Sequence, residues 1–315
     1  MEPGSIAVYS SAKTLTFRIA ARILLGLRLE EKQFKDLAKT FEQLVENLFS
    51  LPLNIPFSGL RKGIKARDML HEFMEKAIQE KLQRNDPEDR SDALDFIINS
   101  AKEHGKEFTI QELKESAIEL IFAAFFTTAS AMIEKIRQDR PRGPTEEGSL
   151  QPCAPLDLEK LSRLRYLDCV IKEVLRVLPP VSGGYRTALQ TFELDGYQIP
   201  KGWSVMYSIR DTHETAAIYQ SPPSSFDPDR FSAARTEAAG RFHYIPFGGG
   251  ARSCIGKELA QAILKLLAIE LVSTARWELA TPGYPAMQTV PIVHPIDDGL
   301  QLYFHPLQPS HSSKA

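Results

Sequence analysis

Cysteine is nearly absent, with Cys153, Cys169 and Cys254 the only three in 315 residues. That excludes a disulfide framework as the source of stability and fits a reducing compartment. A basic excess is missing as well: 38 Lys+Arg stand against 40 Asp+Glu, a formal net charge of −2. No nucleic-acid partner is expected of such a chain. No run reaches the about 18 uncharged apolar residues that a membrane span needs. The longest candidate, residues 14–29, is broken by Arg18, Arg22 and Arg28. Nor do the seven histidines show metal-ligand spacing. His213, His243, His294 and His305 are scattered and read as solvated or core residues. What remains is a globular composition, 43% hydrophobic and 25% charged, able to bury the core of one large or two ordinary domains.

The most informative string is Phe247-Gly-Gly-Gly-Ala-Arg-Ser-Cys-Ile-Gly256. Three glycines ahead of a thiol open backbone conformations closed to other residues and allow close approach to a flat ligand, and Gly256 does the same behind it. Leu259, Ile263, Leu266, Leu267 and Leu271 then recur at helical spacing, so Cys254 is expected at a helix N-terminus. Helix dipole and free N–H groups there favour a thiolate. An iron-bound thiolate is what pushes electron density toward O–O cleavage in oxygen-activating haem enzymes. Arg252, two residues before the sulfur, is placed to meet a haem propionate. A lone cysteine in a glycine-rich turn is more often an ordinary buried thiol. Here the pattern Phe-x-x-Gly-x-Arg-x-Cys-x-Gly, carried by Phe247, Gly250, Arg252, Cys254 and Gly256, reverses that reading. It resembles the ligand loop of the cytochrome P-450 superfamily.

Two upstream signatures stand in the order that superfamily has them. Glu173-Val-Leu-Arg176 lies within residues 166–178, where Leu167, Val170, Ile171, Val174, Leu175 and Leu178 form a helical stripe ended by Pro179-Pro180. By itself a Glu three residues before an Arg is a surface helix pair. Phe226-Asp-Pro-Asp-Arg-Phe231 resembles the segment whose arginine, here Arg230, joins Glu173 and Arg176 in a buried structural triad behind the ligand loop. Removing one member of such a network strands the other charges.

Longer strings narrow the resemblance to the vertebrate retinoic acid hydroxylases, family twenty-six. They are Pro179-Pro-Val-Ser-Gly-Gly-Tyr-Arg186, Phe192-Glu-Leu-Asp-Gly-Tyr-Gln-Ile-Pro-Lys-Gly-Trp203, Tyr207-Ser-Ile-Arg-Asp-Thr-His213 and Arg241-Phe-His-Tyr-Ile-Pro-Phe247. The similarity runs over about residues 8–307. It implies a haem b cofactor with the axial thiolate from Cys254, Arg186 as a second propionate ligand, and Val181, Ser182 and Gly183 lining the substrate pocket with residues near 291–293. Retinoic acid or a similar apolar carboxylate is the implied substrate and NADPH-cytochrome reductase the implied electron donor. Lys257 and Lys265, on the helix after Cys254, either help dock that acidic reductase or form a solvated face. The implied location is the cytosolic face of the endoplasmic reticulum membrane. A chain starting inside the catalytic domain would lack the family's membrane anchor, first sheet and distal substrate loops, and a cytosolic location is then the alternative. Arginines ahead of Glu30 also suit a transit peptide, but the apolar periodicity continuing over 34–51 favours a folded helix pair.

Helical patterns also cover 60–83 and 92–102, with a charged turn over 84–90 between them. Strand signals cluster at 192–194, 198–199, 204–207, 289–293 and 300–304. This is a mainly α fold with small β-sheets, a partial cytochrome P-450 fold in one catalytic domain over 1–315. The helix over 110–131 carries Ala123-Ala-Phe-Phe-Thr-Thr128, a run common in plain core helices. In the resembled family Thr127 assists proton delivery during oxygen activation. Phe126 stands where many members carry an acid, so Thr128 or water is left to substitute. Only 46 residues separate Thr127 from Glu173, too few for the rest of the family's long helix and the start of the next. Residues 138–155, rich in Pro, Gly, Glu and Ser, predict an exposed flexible loop. A splice form or an imperfect gene model accounts for such a gap. Two readings therefore stand: a retinoic acid monooxygenase, or a non-catalytic truncated product of the same lineage that binds haem or lipid weakly.

Overall fold

The computed structural model describes residues 4–84, 92–138, 158–215, 218–235, 240, 242–289 and 292–307. Most of the sequence-predicted loop 138–155, the charged turn after Arg84, Cys153 and Pro291 lie outside these residues. The chain divides into two compact units, one of residues 13–126 and the other of residues 1–12 with 127–315.

The unit of residues 13–126 is helical. It holds most of α1 (Val8–Leu25), then α2 (Glu31–Glu46), α3 (Gly59–Arg84), α4 (Ala93–Glu103) and the first half of α5 (Ile110–Gln138). Its core forms where the apolar stripes of α1, α2 and α5 converge. Phe17 is fully buried, its ring centroid 5.4, 5.5 and 5.0 Å from those of Phe34, Phe41 and Phe125, each pair edge-to-face, an arrangement aromatic quadrupoles favour. The helix anticipated over 34–51 stops at Glu46. The N–H of Asn47 turns back to the carbonyls of Leu44 and Val45, and Pro52 and Pro56 prevent the helix from resuming. Asp92 caps α4, accepting from the N–H groups of Leu94 and Asp95 at 3.0 and 3.1 Å.

The other unit carries the sheets. Strand β1 (Ile6–Ala7) pairs antiparallel with β9 (Gln301–Pro306), which pairs in turn with β6 (Ala275–Leu279); Leu302 faces Ile6 on one side and Leu279 on the other. β2 (Gly183–Thr187) pairs with β5 (Ser204–Ser208), β3 (Phe192–Leu194) with β4 (Tyr197–Ile199), and β7 (Met287–Gln288) with β8 (His294–Pro295). The β3–β4 hairpin turns at Asp195 and Gly196, both at positive φ, as a tight two-residue turn requires. Helices α6 (Leu158–Arg163), α7 (Arg165–Val177), α8 (Ile209–Thr215) and α9 (Lys257–Thr274) complete the unit.

Three sequence expectations need correction here. Of the strand expected over 289–293, Val290 and Pro291 lie outside the described residues, and Thr289, Ile292 and Val293 are not in a strand. The helix expected to end at Ala131 continues to Gln138. Met132, Ile133 and Ile136 extend the apolar stripe of Ala129 at helical spacing and are buried with Ile171, Leu175 and Leu264. The sequence that follows Ala131 therefore fills the seat that a shortened helix would leave uncovered. α5 also overturns the reading of residues 14–29 as the longest apolar candidate: among the described residues Ile110–Ile133 is long and apolar enough to cross a membrane, yet 56% of its apolar window is buried, as in a core helix.

Candidate functional site

The loop before α9 is fixed by its own backbone. The N–H of Gly248 donates to the Ile245 carbonyl at 2.9 Å, that of Ser253 to Gly250 at 3.2 Å, and that of Cys254 to Phe247 at 2.9 Å. Gly248 and Gly250 hold φ of 69° and 72°, a region that L side chains rarely enter. A Cβ on Gly250 would project into open space, and one on Gly248 would stand 3.5 Å from the Tyr207 hydroxyl. Gly256 is the N-cap of α9, so Cys254 lies two residues ahead of the cap. Its thiol is exposed while that of Cys169 is buried, and burial pushes the Cys169 thiol up. Ile255, beside the exposed thiol, is 95% exposed. Arg252 is exposed and closes the short 3-10 turn Gly250–Arg252.

The β2–β5 pair lies against this loop through Tyr207. A Cβ on Gly184 would come within 2.6 Å of the Tyr207 hydroxyl, so only glycine leaves room for that ring. The guanidinium of Arg186 donates to the Tyr207 hydroxyl at 3.3 Å and to the Tyr185 carbonyl at 2.7 Å. Tyr207 thus connects Arg186 to Gly248. Val181 is exposed, Ser182 and Gly183 half-buried. The Ser182 carbonyl accepts from the N–H groups of Ile209 and Arg210 at 2.8 and 3.1 Å. The N–H of buried Val293 donates to the Pro180 carbonyl at 3.0 Å, which brings the late hairpin beside Val181.

Glu173, Arg176 and Arg230 meet in the interior, none more than 1% exposed. Arg176 reaches the Glu173 carboxylate in a two-pronged contact at 2.7 and 2.9 Å, and Arg230 reaches it at 3.2 Å. The N–H of Asp227 adds a bond to the same carboxylate at 2.8 Å. Remaining guanidinium protons go to backbone carbonyls of the meander. Arg176 binds Pro223 at 2.8 Å, and Arg230 binds Ser221 and Pro222 at 2.7 and 2.6 Å. Each guanidinium nitrogen of Arg176 and Arg230 has an acceptor, as buried charge requires.

Of the two readings of His213, solvated or core, the structure has the core one, with partners that sequence reasoning did not foresee. It is fully buried on α8. Its Nε2 accepts from the N–H of Ile245 at 2.9 Å and its Nδ1 faces the Arg176 carbonyl at 3.3 Å. An acceptor at Nε2 leaves the proton on Nδ1, so the ring is neutral. Burial, the largest cause, lowers its pKa from 6.5 to about 4. The imidazole stacks on Tyr244, whose hydroxyl donates to the Lys172 carbonyl at 3.0 Å. One ring therefore ties α7 to the segment that enters the loop before α9. No local sequence signal marks it, because its partners are far off in sequence.

Thr127 is half-buried on α5 and Thr128 is buried. Ser130, one turn further on, is buried with no partner for its hydroxyl among the described residues. Lys265 departs from the expected surface role. It is buried, donating to the Leu161 carbonyl at 3.0 Å and pairing with Asp168 at 2.5 Å, so it joins α9 to α6 and α7. Lys257 stays exposed.

The Cytochrome P450 family model matches residues 2–133 and 147–296. The chain belongs to the cytochrome P450 family. Human Cytochrome P450 26C1 is 64% identical over 341 residues, covering 98% of this chain and 65% of that protein. Rat Cytochrome P450 26B1 is 56% identical over 319 residues, covering 96% of this chain and 62% of that protein. The chain therefore spans about two thirds of the length of these relatives. The human alignment runs over 341 residues against the 315 of this chain, so it contains positions with no counterpart here. Among solved structures, the retinoic acid-bound cyanobacterial CYP120A1 superposes with a TM-score of 0.83 at 32% identity, over 97% of this chain and 71% of that one. The P450DA haem domain, at 17% identity and TM-score 0.80, shares the fold.

Membership in the P450 family brings a haem-iron cofactor with a cysteine thiolate ligand. The residues present fit that group. A soft sulfur ligand is exposed on a glycine cradle with open space above Gly250, and two exposed arginines, Arg186 and Arg252, offer guanidinium groups to propionates.

Proposed function

We propose that this P450 is a haem-thiolate monooxygenase that hydroxylates retinoic acid. The observation that carries the assignment is the exposed Cys254 thiol on the Gly248–Gly250 cradle within a chain 64% identical to Cytochrome P450 26C1. Bound there, haem iron supplies oxygen activation from molecular oxygen and two electrons. Cys254 provides the thiolate. Phe247 and Gly256 bracket it, and Gly250 leaves the approach open. Arg252 and Arg186 neutralise the propionates, with Tyr207 orienting Arg186. Thr127 holds a proton at its hydroxyl on the distal helix, with Thr128 one residue on, since Phe126 carries no acid. Val181, Ser182 and Gly183 border the substrate space. Glu173, Arg176 and Arg230 hold the meander, and through it the ligand loop. NADPH-cytochrome reductase supplies the electrons at the cytosolic face of the endoplasmic reticulum, with Lys257 on the exposed start of α9.

Turnover tests the assignment. The haem-loaded chain with reductase and NADPH is expected to convert retinoic acid to hydroxylated products, and Cys254→Ala to abolish conversion. Haem uptake with no conversion by either protein would favour the second reading, a non-catalytic member of the lineage; the continuation of α5 through Ile136 weighs against it, because the distal helix keeps its packed face.

A further inference from the structure

We propose that the cleft at the α1–α2 turn is a binding site for an anion with an apolar tail, whose carboxylate or phosphate head is held by Arg22 and Arg28. The cleft has a volume of about 400 Å³, within the range of small-molecule sites, about 300–1,000 Å³. Three arginines line it, Arg18, Arg22 and Arg28, together with Ala21, Leu27, Leu29 and Phe34. Arg18 is engaged already: it pairs with Glu31 at 2.8 Å and lies 4.2 Å over the Phe34 ring. Arg22 and Arg28 have no hydrogen bond or ion pair from their side chains among the described residues. Glu30 also lines the cleft but is committed to the capping box of α2, where its N–H donates to Gln33 at 3.2 Å. Counting Glu30 and Glu31 against three arginines leaves one positive charge in excess.

The turn that brings Arg28 back beside Arg22 is built, not incidental. Gly26 takes φ 65° and closes α1 by donating to the Arg22 carbonyl at 3.1 Å, and Leu27 donates to Ala21 at 3.0 Å. A side chain at Gly26 would collide with Asp92, its Cβ only 2.2 Å from the carboxylate. The turn is thereby pinned, with Arg22 and Arg28 both at the edge of an apolar cleft. Guanidinium groups grip carboxylate and phosphate in the same planar, two-pronged way, and the apolar lining rewards a hydrocarbon tail that water would not. A small anion without a tail gains only the first of these, and an uncharged tail only the second.

Photolabelling tests the site on the full haem-loaded chain, using a diazirine-bearing dodecanoate with peptide mapping. Labelling is expected within residues 18–34. Dodecanoate and dodecyl phosphate should compete, whereas dodecanol and inorganic phosphate at the same concentration should not; whichever of the two anions competes at lower concentration identifies the head group. Arg22→Gln/Arg28→Gln should reduce labelling there at least tenfold while leaving the circular dichroism spectrum unchanged, both side chains being exposed. Labelling confined to other segments, labelling unchanged in the double variant, or competition by dodecanol equal to that by dodecanoate would overturn the site. Labelling at the haem face reports on the monooxygenase assignment alone, so the two outcomes are separable.

Discussion

The imidazole Nε2 of His213 accepts a hydrogen bond from the backbone N–H of Ile245 at 2.9 Å. Ile245 in turn accepts from Gly248, the first glycine of the ligand loop with a left-handed backbone. Through this pair the buried triad and the loop that presents Cys254 share one hydrogen-bonded path: Glu173 to Arg176, the Arg176 carbonyl to His213, His213 to Ile245, Ile245 to Gly248.

Protonating His213 would set an N–H against the N–H of Ile245. Its pKa is about 4 in the folded protein against an ordinary 6.5. Between those values the unfolded chain binds more protons, so stability falls as pH drops from about 6.5 to about 4, by up to about 3 kcal/mol, and is full above that window. Urea midpoints measured across pH 4–7 are expected to show this slope, and His213→Asn to flatten it. A slope equal in both proteins would show that His213 does not titrate in this window.

Glu173 places one negative charge between two arginines that are otherwise sealed from water. Glu173→Gln leaves both charges buried and is expected to cost about 3–5 kcal/mol, read as a lower denaturation midpoint. Loss of haem retention should accompany it, because the meander no longer anchors the loop. A midpoint within error of the wild type would mean that the triad is not the anchor.

Ser130 is buried without a hydrogen-bond partner for its hydroxyl among the described residues. Ser130→Ala removes that desolvated group and is expected to raise stability by about 1 kcal/mol, measurable by denaturation. A drop in stability would instead indicate that the hydroxyl binds an internal water.

Ile133 is 1% exposed, in the part of α5 beyond the expected end at Ala131. If that extension packs as described, Ile133→Ala should cost about 2–5 kcal/mol; a solvent-exposed tail would give no change in the denaturation midpoint.

Much of the fold was legible because single helices declare themselves locally. The pattern over 60–83 matches α3 at Gly59–Arg84, and that over 92–102 matches α4 with Asp92 as its cap. Strands β2 and β6 were not read. Gly183-Gly-Tyr-Arg-Thr187 has no alternation of its own and is a strand only because β5 pairs with it, and Ala275–Leu279 continues directly from the periodic helix α9. At the site, the loop glycines, Cys254 and the Glu-x-x-Arg pair were visible as strings. His213 and the buried Lys265 were not, since their partners lie 37 and 104 residues away, and a lone charged or titratable residue in a helix reads the same whether buried or solvated. The continuation of α5 was hidden for a related reason: Met132, Ile133 and Ile136 keep the helical period although their neighbours along the chain change character.

The central claim, that Cys254 holds haem iron as a thiolate on a loop this chain can still form, is tested most directly by the difference spectrum of the reduced, carbon monoxide-treated protein after haem loading. The account predicts the long-wavelength Soret band of a thiolate-ligated haem, lost in Cys254→Ala. A spectrum without that band, or the same band in both proteins, would contradict it.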